Sequence, residues 1–131
     1  MIKVILDSNF LFVPLQFKID IFEELDRLFG KVEPVVLSTT LEELQQLTAK
    51  GSPKMRKQTT IALNLVEKCH SVTVERRTNE SYDDVILRTA KEWNVPVATN
   101  DAKLRKKLRE TGVSVVFLRQ KSYLTIDGFF I

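Results

Sequence analysis

The chain has 131 residues, 44% of them hydrophobic and 28% charged, and a net charge of +3, a composition typical of one folded domain rather than of disorder or a fibrous repeat. A single cysteine, Cys69, and a single histidine, His70, exclude an internal disulfide framework, a cysteine-rich zinc site and a multi-histidine metal centre. No apolar run approaches the roughly 20 residues that span a bilayer, and the start shows no basic-then-apolar leader, so we expect a cytoplasmic protein with no membrane contact.

The first half of the chain alternates short apolar runs with amphipathic segments. Residues 3–6 and 35–37 are apolar runs typical of buried strands, and residues 20–29 repeat apolar side chains at helical spacing. Gly30 should end this helix, because glycine readily adopts the left-handed conformation of a helix end. The hydroxyl side chains of residues 38–40, with glutamate three residues later, predict that the next helix begins there.

The second half continues the alternation of helices and strands. It predicts a basic helix over residues 53–70, a weak strand over 71–74, a helix over 82–93, a strand over 95–98, a helix over 101–110 and a strand over 113–118. Strands that are apolar on both faces and alternate with helices are typical of a parallel sheet covered by helices. We therefore expect one α/β domain over residues 1–131, with three α/β/α layers, a central parallel sheet of about five strands and a C-terminal tail over residues 120–131.

Acidic side chains flank the ends of the predicted strands, where open parallel sheets bind their ligands. They are Asp7 after the first strand, Glu42 and Glu43 after the second, Asp83 and Asp84 at the start of the helix 82–93, and Asp101 after the strand 95–98. Carboxylates gathered at one edge repel each other unless a divalent cation joins them, and oxygen ligands favour Mg²⁺ or Mn²⁺. Taken singly, each acid is also explained as a helix cap or as a charge near a helix N-terminus.

Four segments carry a resemblance to a known family. They are VILDSNFLF near the start, the E-E-L opening of the helix predicted to begin at residues 38–40, DDVILRTA, and VPVATNDAKLRKKLRETGVSVVFLRQK. Together these segments resemble PIN-domain ribonucleases over nearly the whole chain. The last segment is most similar to the group that contains the small-subunit ribosomal RNA processing endonucleases and their archaeal relatives.

The resemblance implies a set of catalytic and metal-binding carboxylates. These are Asp7 in L-D-S-N, Glu43 in E-E-L, Asp83 in D-x-x-I-x-x-T-A and Asp101 in T-x-D, with Asn9, Thr99, Asp84 and Glu42 as supporting or alternate residues. Many members carry a further acid after the T-x-D motif, but here Ala102 follows, so we expect one tightly bound Mg²⁺ or Mn²⁺ and a second ion recruited with the substrate. The implied reaction is endonucleolytic cleavage of single-stranded RNA that leaves a 5′-phosphate and a 3′-hydroxyl.

Basic side chains are concentrated in the C-terminal part of the chain, since residues 49–131 carry sixteen cations and nine acids. One group lies on the helix that follows Asp101, and a second lies near the break at Gly51. The predicted RNA-binding residues are Lys103, Arg105, Lys106, Lys107 and Arg109 in the first group and Lys50, Lys54 and Arg56 in the second. The alternative is that both groups only form solvated helix surfaces.

Three functions fit the resemblance. The first is ribosomal RNA processing, the second is a toxin-type ribonuclease with an antitoxin partner, and the third is an inactive RNA-binding or ribosome-assembly scaffold, which Ala102 suggests. A phosphoacceptor receiver domain is disfavoured, because Ser38 rather than an aspartate follows the middle strand. The apolar end of the chain, Phe129, Phe130 and Ile131, suggests packing against the domain, a partner or a second copy in a homodimer.

Overall fold

A single sheet lies at the centre of the part of the chain that the computed structural model describes, residues 1–128. Its six strands are β1 (Ile2–Leu6), β2 (Val32–Leu37), β3 (His70–Val72), β4 (Val97–Ala98), β5 (Val115–Arg119) and β6 (Tyr123–Asp127). The strand order is β3-β2-β1-β4-β5-β6, and β6 pairs antiparallel to β5 whereas the other pairs are parallel. Because β1 lies between β2 and β4, the residues that follow it reach the middle of the sheet edge.

Six α-helices and a short 3₁₀ helix connect the strands within residues 1–128. The 3₁₀ helix spans Ser8–Phe12, and the α-helices are α1 (Val13–Phe17), α2 (Ile21–Phe29), α3 (Ser38–Lys50), α4 (Pro53–Val66), α5 (Tyr82–Trp93) and α6 (Ala102–Glu110). None of them is long and apolar enough to cross a membrane.

Two hydrophobic clusters pack on opposite faces of the sheet. Val4 and Leu6 of β1 belong to the cluster under α2, α3 and α4, whereas Ile5 belongs to the cluster under α5 and α6. This division follows from the strand geometry, because successive side chains point to opposite faces. The predicted three-layer α/β/α arrangement around a parallel sheet is confirmed.

The boundaries around β3 differ from the prediction for a specific reason. The helix predicted over residues 53–70 ends at Val66, and His70 already pairs with Val35 in the sheet. Beyond the C-terminal end of β3, the backbone of Val74 bonds to a side chain. The Ser38 hydroxyl accepts from the Val74 N–H at 2.9 Å and donates to the Val74 carbonyl at 3.2 Å. The strand β3 therefore ends at Val72, and Val74 bonds to the Ser38 side chain instead of to a neighbouring strand.

The segment predicted as a C-terminal tail contains β6. The turn between β5 and β6 places Gln120 and Lys121 in the left-handed region, with φ of 54° and 56°. Tight hairpin turns of this kind normally carry glycine or asparagine, so the sequence did not indicate the hairpin. The predicted packing or pairing role of Phe129, Phe130 and Ile131 lies outside the described residues.

The loop before α5 is held by a single arginine. Arg88 donates to both carboxylate oxygens of Glu80 at 2.9 Å and to the carbonyl of Glu75 at 2.7 Å. The Arg77 N–H also donates to Glu80 at 2.7 Å. These contacts fix the chain just before Ser81, the N-cap of α5. The hydrogen bonds from Arg88, and then that from Arg77, lower the pKa of Glu80 to about 2.

We expect Glu80→Gln to lower the free energy of unfolding at neutral pH. A carboxylate whose pKa is lowered by folding stabilises the protein above its ordinary pKa, here 4.5, and this stabilisation is lost as the pH falls toward 2. The difference between the variant and the parent protein should therefore shrink below pH 4.5. Urea unfolding at pH 7, 4 and 2.5 measures it. Glu75→Gln is the control, because Arg88 donates to the backbone carbonyl of Glu75 and, within residues 1–128, to neither oxygen of its carboxylate. A constant difference at all three pH values contradicts the assignment.

Candidate active site

Asp7 lies directly beyond the end of β1 and is buried, with 3% of its surface exposed. Its Oδ1 accepts from the Ser8 N–H at 2.8 Å, and its Oδ2 accepts from the Asn9 side-chain amide at 3.0 Å and from the Thr99 hydroxyl at 2.7 Å. Burial raises the pKa of Asp7 to about 6, although the Thr99 and Ser8 hydrogen bonds oppose the shift. The protein thus holds a carboxyl group that titrates near neutral pH at the centre of the sheet edge.

The end of β4 is joined to the end of β1 by a polar network. The side-chain Oδ1 of Asn9 accepts from the Asn100 N–H at 3.2 Å, and the Thr99 hydroxyl accepts from the Asp101 N–H at 3.1 Å. Asp101 in turn caps α6, since its Oδ1 accepts from the N–H groups of Lys103 and Leu104 at 2.9 and 3.3 Å. One carboxylate oxygen of Asp101 is therefore fixed by the helix, and Oδ2 has no hydrogen bond to another residue of the described chain.

Two half-buried acids complete the cluster from the neighbouring helices. Glu43 of α3 has its pKa raised by burial and by the charge of Asp83, while the Ser8 hydroxyl opposes the shift. Asp83, in the first turn of α5, has its pKa raised by burial and by the charge of Asp101. The charges of Asp83 and Glu43 also raise the pKa of Asp7. Asp83 thus interacts unfavourably with all three other carboxylates, and Asp7 also does so with Glu43.

The two alternate acids have different surroundings. Asp84 accepts from the Ser81 N–H at 3.0 Å, and its own N–H donates to the Ser81 hydroxyl at 3.1 Å, so it belongs to the capping box of α5. Glu42 is exposed on α3. The structure therefore brings Asp83 and Glu43, rather than Asp84 and Glu42, into electrostatic contact with Asp7.

The donor set suits a hard divalent cation. All four groups are carboxylates, and their mutual repulsion is the condition that a bound cation would relieve. Within residues 1–128, no group of three or more acidic, histidine or cysteine side chains is arranged to hold a metal ion. The carboxylate donors fit Mg²⁺ or Mn²⁺ in chemistry and charge, but the described side chains are not arranged as a metal-binding group.

The predicted basic residues fall into two classes. Arg105 and Arg109 of α6 both pair with Asp127 of β6, at 2.8 and 3.3 Å. Lys103, Lys106 and Lys107 are exposed on the same helix, and the charge of Lys107 lowers the pKa of Asp83. RNA contact by these five cations of α6 stays a prediction, and the structure adds that Arg105 and Arg109 are also paired with Asp127.

The second basic group lies beside Glu43. A groove of about 530 Å³ between α3, α4 and α5 is lined by Glu43, Lys50, Met55 and Tyr82, among others. Lys54 and Arg56 are exposed in the first turn of α4. Lys50 is therefore the member of this group that shares a groove with an acid of the cluster.

Two polar residues of the site were not identified from the sequence. Ser8 donates its hydroxyl to Glu43, and Asn100 connects the site to β5, since its Oδ1 accepts from the Leu118 N–H at 2.8 Å. Both lie between residues that were identified, in D-S-N and T-N-D. Their position inside these motifs was the signal available in the sequence.

Comparison with known proteins gives a consistent result. The family described as a PIN like domain matches residues 4–121. The chain is 37% identical over 130 residues to Ribonuclease VapC4 of Methanocaldococcus jannaschii, and the match covers 98% of each chain. The structure of the PIN domain endonuclease Utp24 is similar with a TM-score of 0.80 and 26% identity, covering 97% of this chain and 92% of that one. VapBC2 of Rickettsia felis, solved with a DNA fragment of its promoter, shares the fold with a TM-score of 0.68 and 15% identity, covering 90% and 100%.

The adjacent acids of α5 should respond in opposite directions to replacement by alanine. Asp83→Ala removes a half-buried, repelled charge and should raise the free energy of unfolding in metal-free buffer by up to about 1 kcal/mol. Asp84→Ala removes half of the capping box and should lower it by about 1 kcal/mol.

Urea unfolding of both variants at several pH values measures these changes. Because an acid with a raised pKa costs stability only when it is ionised, the gain from Asp83→Ala should vanish below pH 3.8. Equal losses of stability in the two variants at pH 7 would show that Asp83 is not under electrostatic stress.

Proposed function

Since this chain belongs to the PIN-like domain family of nucleases, we propose that it is an endoribonuclease that depends on Mg²⁺ or Mn²⁺ and cleaves single-stranded RNA. The observation that carries this proposal is the convergence of Asp7, Glu43, Asp83 and Asp101, which repel each other at the edge of the sheet. Grouped carboxylates are costly to fold, and a cation-dependent reaction is the physical reason to keep them.

Each acid has a distinct part in the proposed site. Asp7 is the central ligand. The Thr99 hydroxyl and the Asn9 amide both donate to its carboxylate, and these hydrogen bonds fix its position and favour its ionised form. Asp101 presents its unbonded oxygen while α6 fixes the other one. Glu43 and Asp83 close the site from the two sheet faces. A divalent cation, when bound there, supplies an activated water and neutralises a phosphate oxygen.

The exposed cations of α6 are placed to hold the RNA backbone. Lys107 is close enough to Asp83 to lower the pKa of that carboxyl group. The ammonium group of Lys107 therefore lies near the proposed site, where it is available to a phosphate next to the scissile one. Lys103 and Lys106 extend the same exposed surface. Such contacts position a substrate without reading its sequence.

The processing of a ribosomal RNA precursor in the cytoplasm is the biological setting that we favour. Its support is the T-N-D segment with its basic helix, together with the structural similarity to the endonuclease Utp24 over 97% of this chain. A toxin-type ribonuclease that pairs with an antitoxin is the second candidate, and the 37% identity to Ribonuclease VapC4 favours it. A small antitoxin reading frame next to the gene would support the second candidate, and its absence would support the first.

We expect the protein to cleave a 5′-labelled single-stranded RNA when Mn²⁺ is present and to lose cleavage when EDTA is added. Asp7→Asn and Asp101→Asn should each reduce the rate by about 100-fold or more, because even the partners of metal ligands typically contribute 10- to 100-fold. Glu110→Gln is the control, since it neutralises an exposed acid at the far end of α6. Equal rates in the parent and in both aspartate variants would refute the proposal.

A catalytically inactive scaffold gives a different combination of results. Isothermal titration with Mn²⁺ should detect binding to the parent protein and much weaker binding to Asp7→Asn. Intact RNA binding without any Mn²⁺ binding would instead identify the scaffold, the function that Ala102 suggests.

A further inference from the structure

A second groove opens beside the acidic cluster and shares no lining residue with the groove next to Glu43. It measures about 660 Å³, and Asn9 and Thr99 are among its lining residues. These are the two residues that hold Asp7, so the groove begins one side chain away from the proposed reaction centre. We propose that this groove binds one unpaired nucleobase of the RNA, adjacent to the phosphodiester that is cleaved. This inference rests on the proposed function and names the part of the substrate that the neighbouring surface recognises.

Aromatic rings form much of the groove wall. Phe12 and Phe17 line it, and both also pack against the hydrophobic core, which holds their rings in place. Arg105 and Phe117 also line it, and the Arg105 guanidinium lies 3.7 Å from the centroid of the Phe117 ring. Asp127 fixes that guanidinium through a 2.8 Å hydrogen bond to Nε. Fixed rings and a planar cation are the surfaces on which unstacked bases stack.

Carboxamide side chains supply the polar part of the groove. Gln16 and Gln120 line it, and neither side chain has a hydrogen-bond partner in residues 1–128. Asn100 also lines it. The Asn100 Oδ1 accepts from the Leu118 N–H, and this bond fixes the orientation of the side-chain NH₂ group. An amide offers both a donor and an acceptor, which matches the mixed edge of a nucleobase.

The charge of the groove favours an anionic polymer. Lys121 lines it, as does Arg105, which is paired with Asp127, and none of its lining residues in the described chain is acidic. A nucleotide places an aromatic base between the rings and a phosphate near these cations. The combination of rings, amides and cations without an acid fits a nucleotide better than an apolar peptide or a second copy of this chain.

The turn at the groove rim keeps two polar side chains at an energetic cost. Gln120 and Lys121 both adopt left-handed backbone conformations, with φ of 54° and 56°, where glycine or asparagine is usual. Both residues line the groove. Backbone strain of this kind persists at positions where the side chains are needed for function. Here those side chains are the amide of Gln120 and the ammonium group of Lys121.

Gln120→Gly separates a role in binding from a role in folding. Glycine relieves the left-handed strain, so the variant should raise the melting temperature, but it removes the amide and should weaken RNA binding. Asn94→Gly is the matched control. Asn94 is exposed and left-handed, with φ of 55°, at the end of α5 remote from Asp83, so its variant should leave RNA binding within twofold of the parent.

Phe17→Leu tests the stacking surface. The full chain is titrated into a fluorescently labelled single-stranded RNA heptamer in EDTA, where binding is measured without cleavage. We expect at least about a fivefold weaker affinity for Phe17→Leu. Phe22→Leu is the control and should have no such effect. Phe22 packs against the same core cluster as Phe17, but it lies in α2 and lines a different cavity. With an oligonucleotide that lacks bases, the difference between Phe17→Leu and the parent should disappear.

The outcomes separate this inference from the proposed function. If Phe17→Leu and Gln120→Gly both bind RNA like the parent while cleavage depends on Asp7, the groove proposal is overturned and the proposed function stands. If both variants bind less tightly but no RNA is cleaved with Mn²⁺, the groove proposal stands and the catalytic proposal fails. A change in oligomeric state caused by Phe17→Leu, measured by light scattering and unaccompanied by weaker RNA binding, would make the groove an interface between copies and would overturn the inference.

Discussion

The hydrogen bond from the Thr99 hydroxyl to the Asp7 carboxylate connects the ends of β1 and β4, and the whole site depends on it. Burial opposes the ionised form of Asp7, whereas this bond and the Ser8 N–H favour it. The rigid support comes from the sheet, where Ile5 pairs with both Val35 and Val97 just before the site begins. A packed parallel sheet can hold a carboxylate in an unfavourable position because the loss is small relative to the burial of its apolar core.

The antiparallel strand β6 links the basic helix to the sheet. Asp127 of β6 pairs with Arg105 and Arg109, which fixes one face of α6 and leaves the lysines of that helix exposed. The turn that precedes β6 carries Gln120 and Lys121 at the rim of the groove beside Asn9. The same hairpin therefore supplies the edge strand of the sheet, orders two arginines and shapes the surface next to the acids.

The agreement between sequence and structure varies with the range of the interactions. The strand before Asp7, the helix 82–93 and the helix after Asp101 were predicted because their signals lie within a few residues. The 3₁₀ helix and α1 over residues 8–17 were not predicted, since their apolar residues follow no single period. The strand β6 was also missed, because Gln120 and Lys121 occupy a turn that usually needs glycine or asparagine.

The sequence by itself determined the fold class, because strand and helix periodicity is local, and it limited any metal site to carboxylate ligands, because the chain has one cysteine and one histidine. Only the tertiary structure showed that Asp83 interacts electrostatically with Asp7 while its sequence neighbour Asp84 caps α5. It also decided that Asp127 engages two of the cations of α6. Both outcomes depend on the direction in which a side chain leaves a packed helix, and that direction is set by contacts between elements rather than by neighbouring residues.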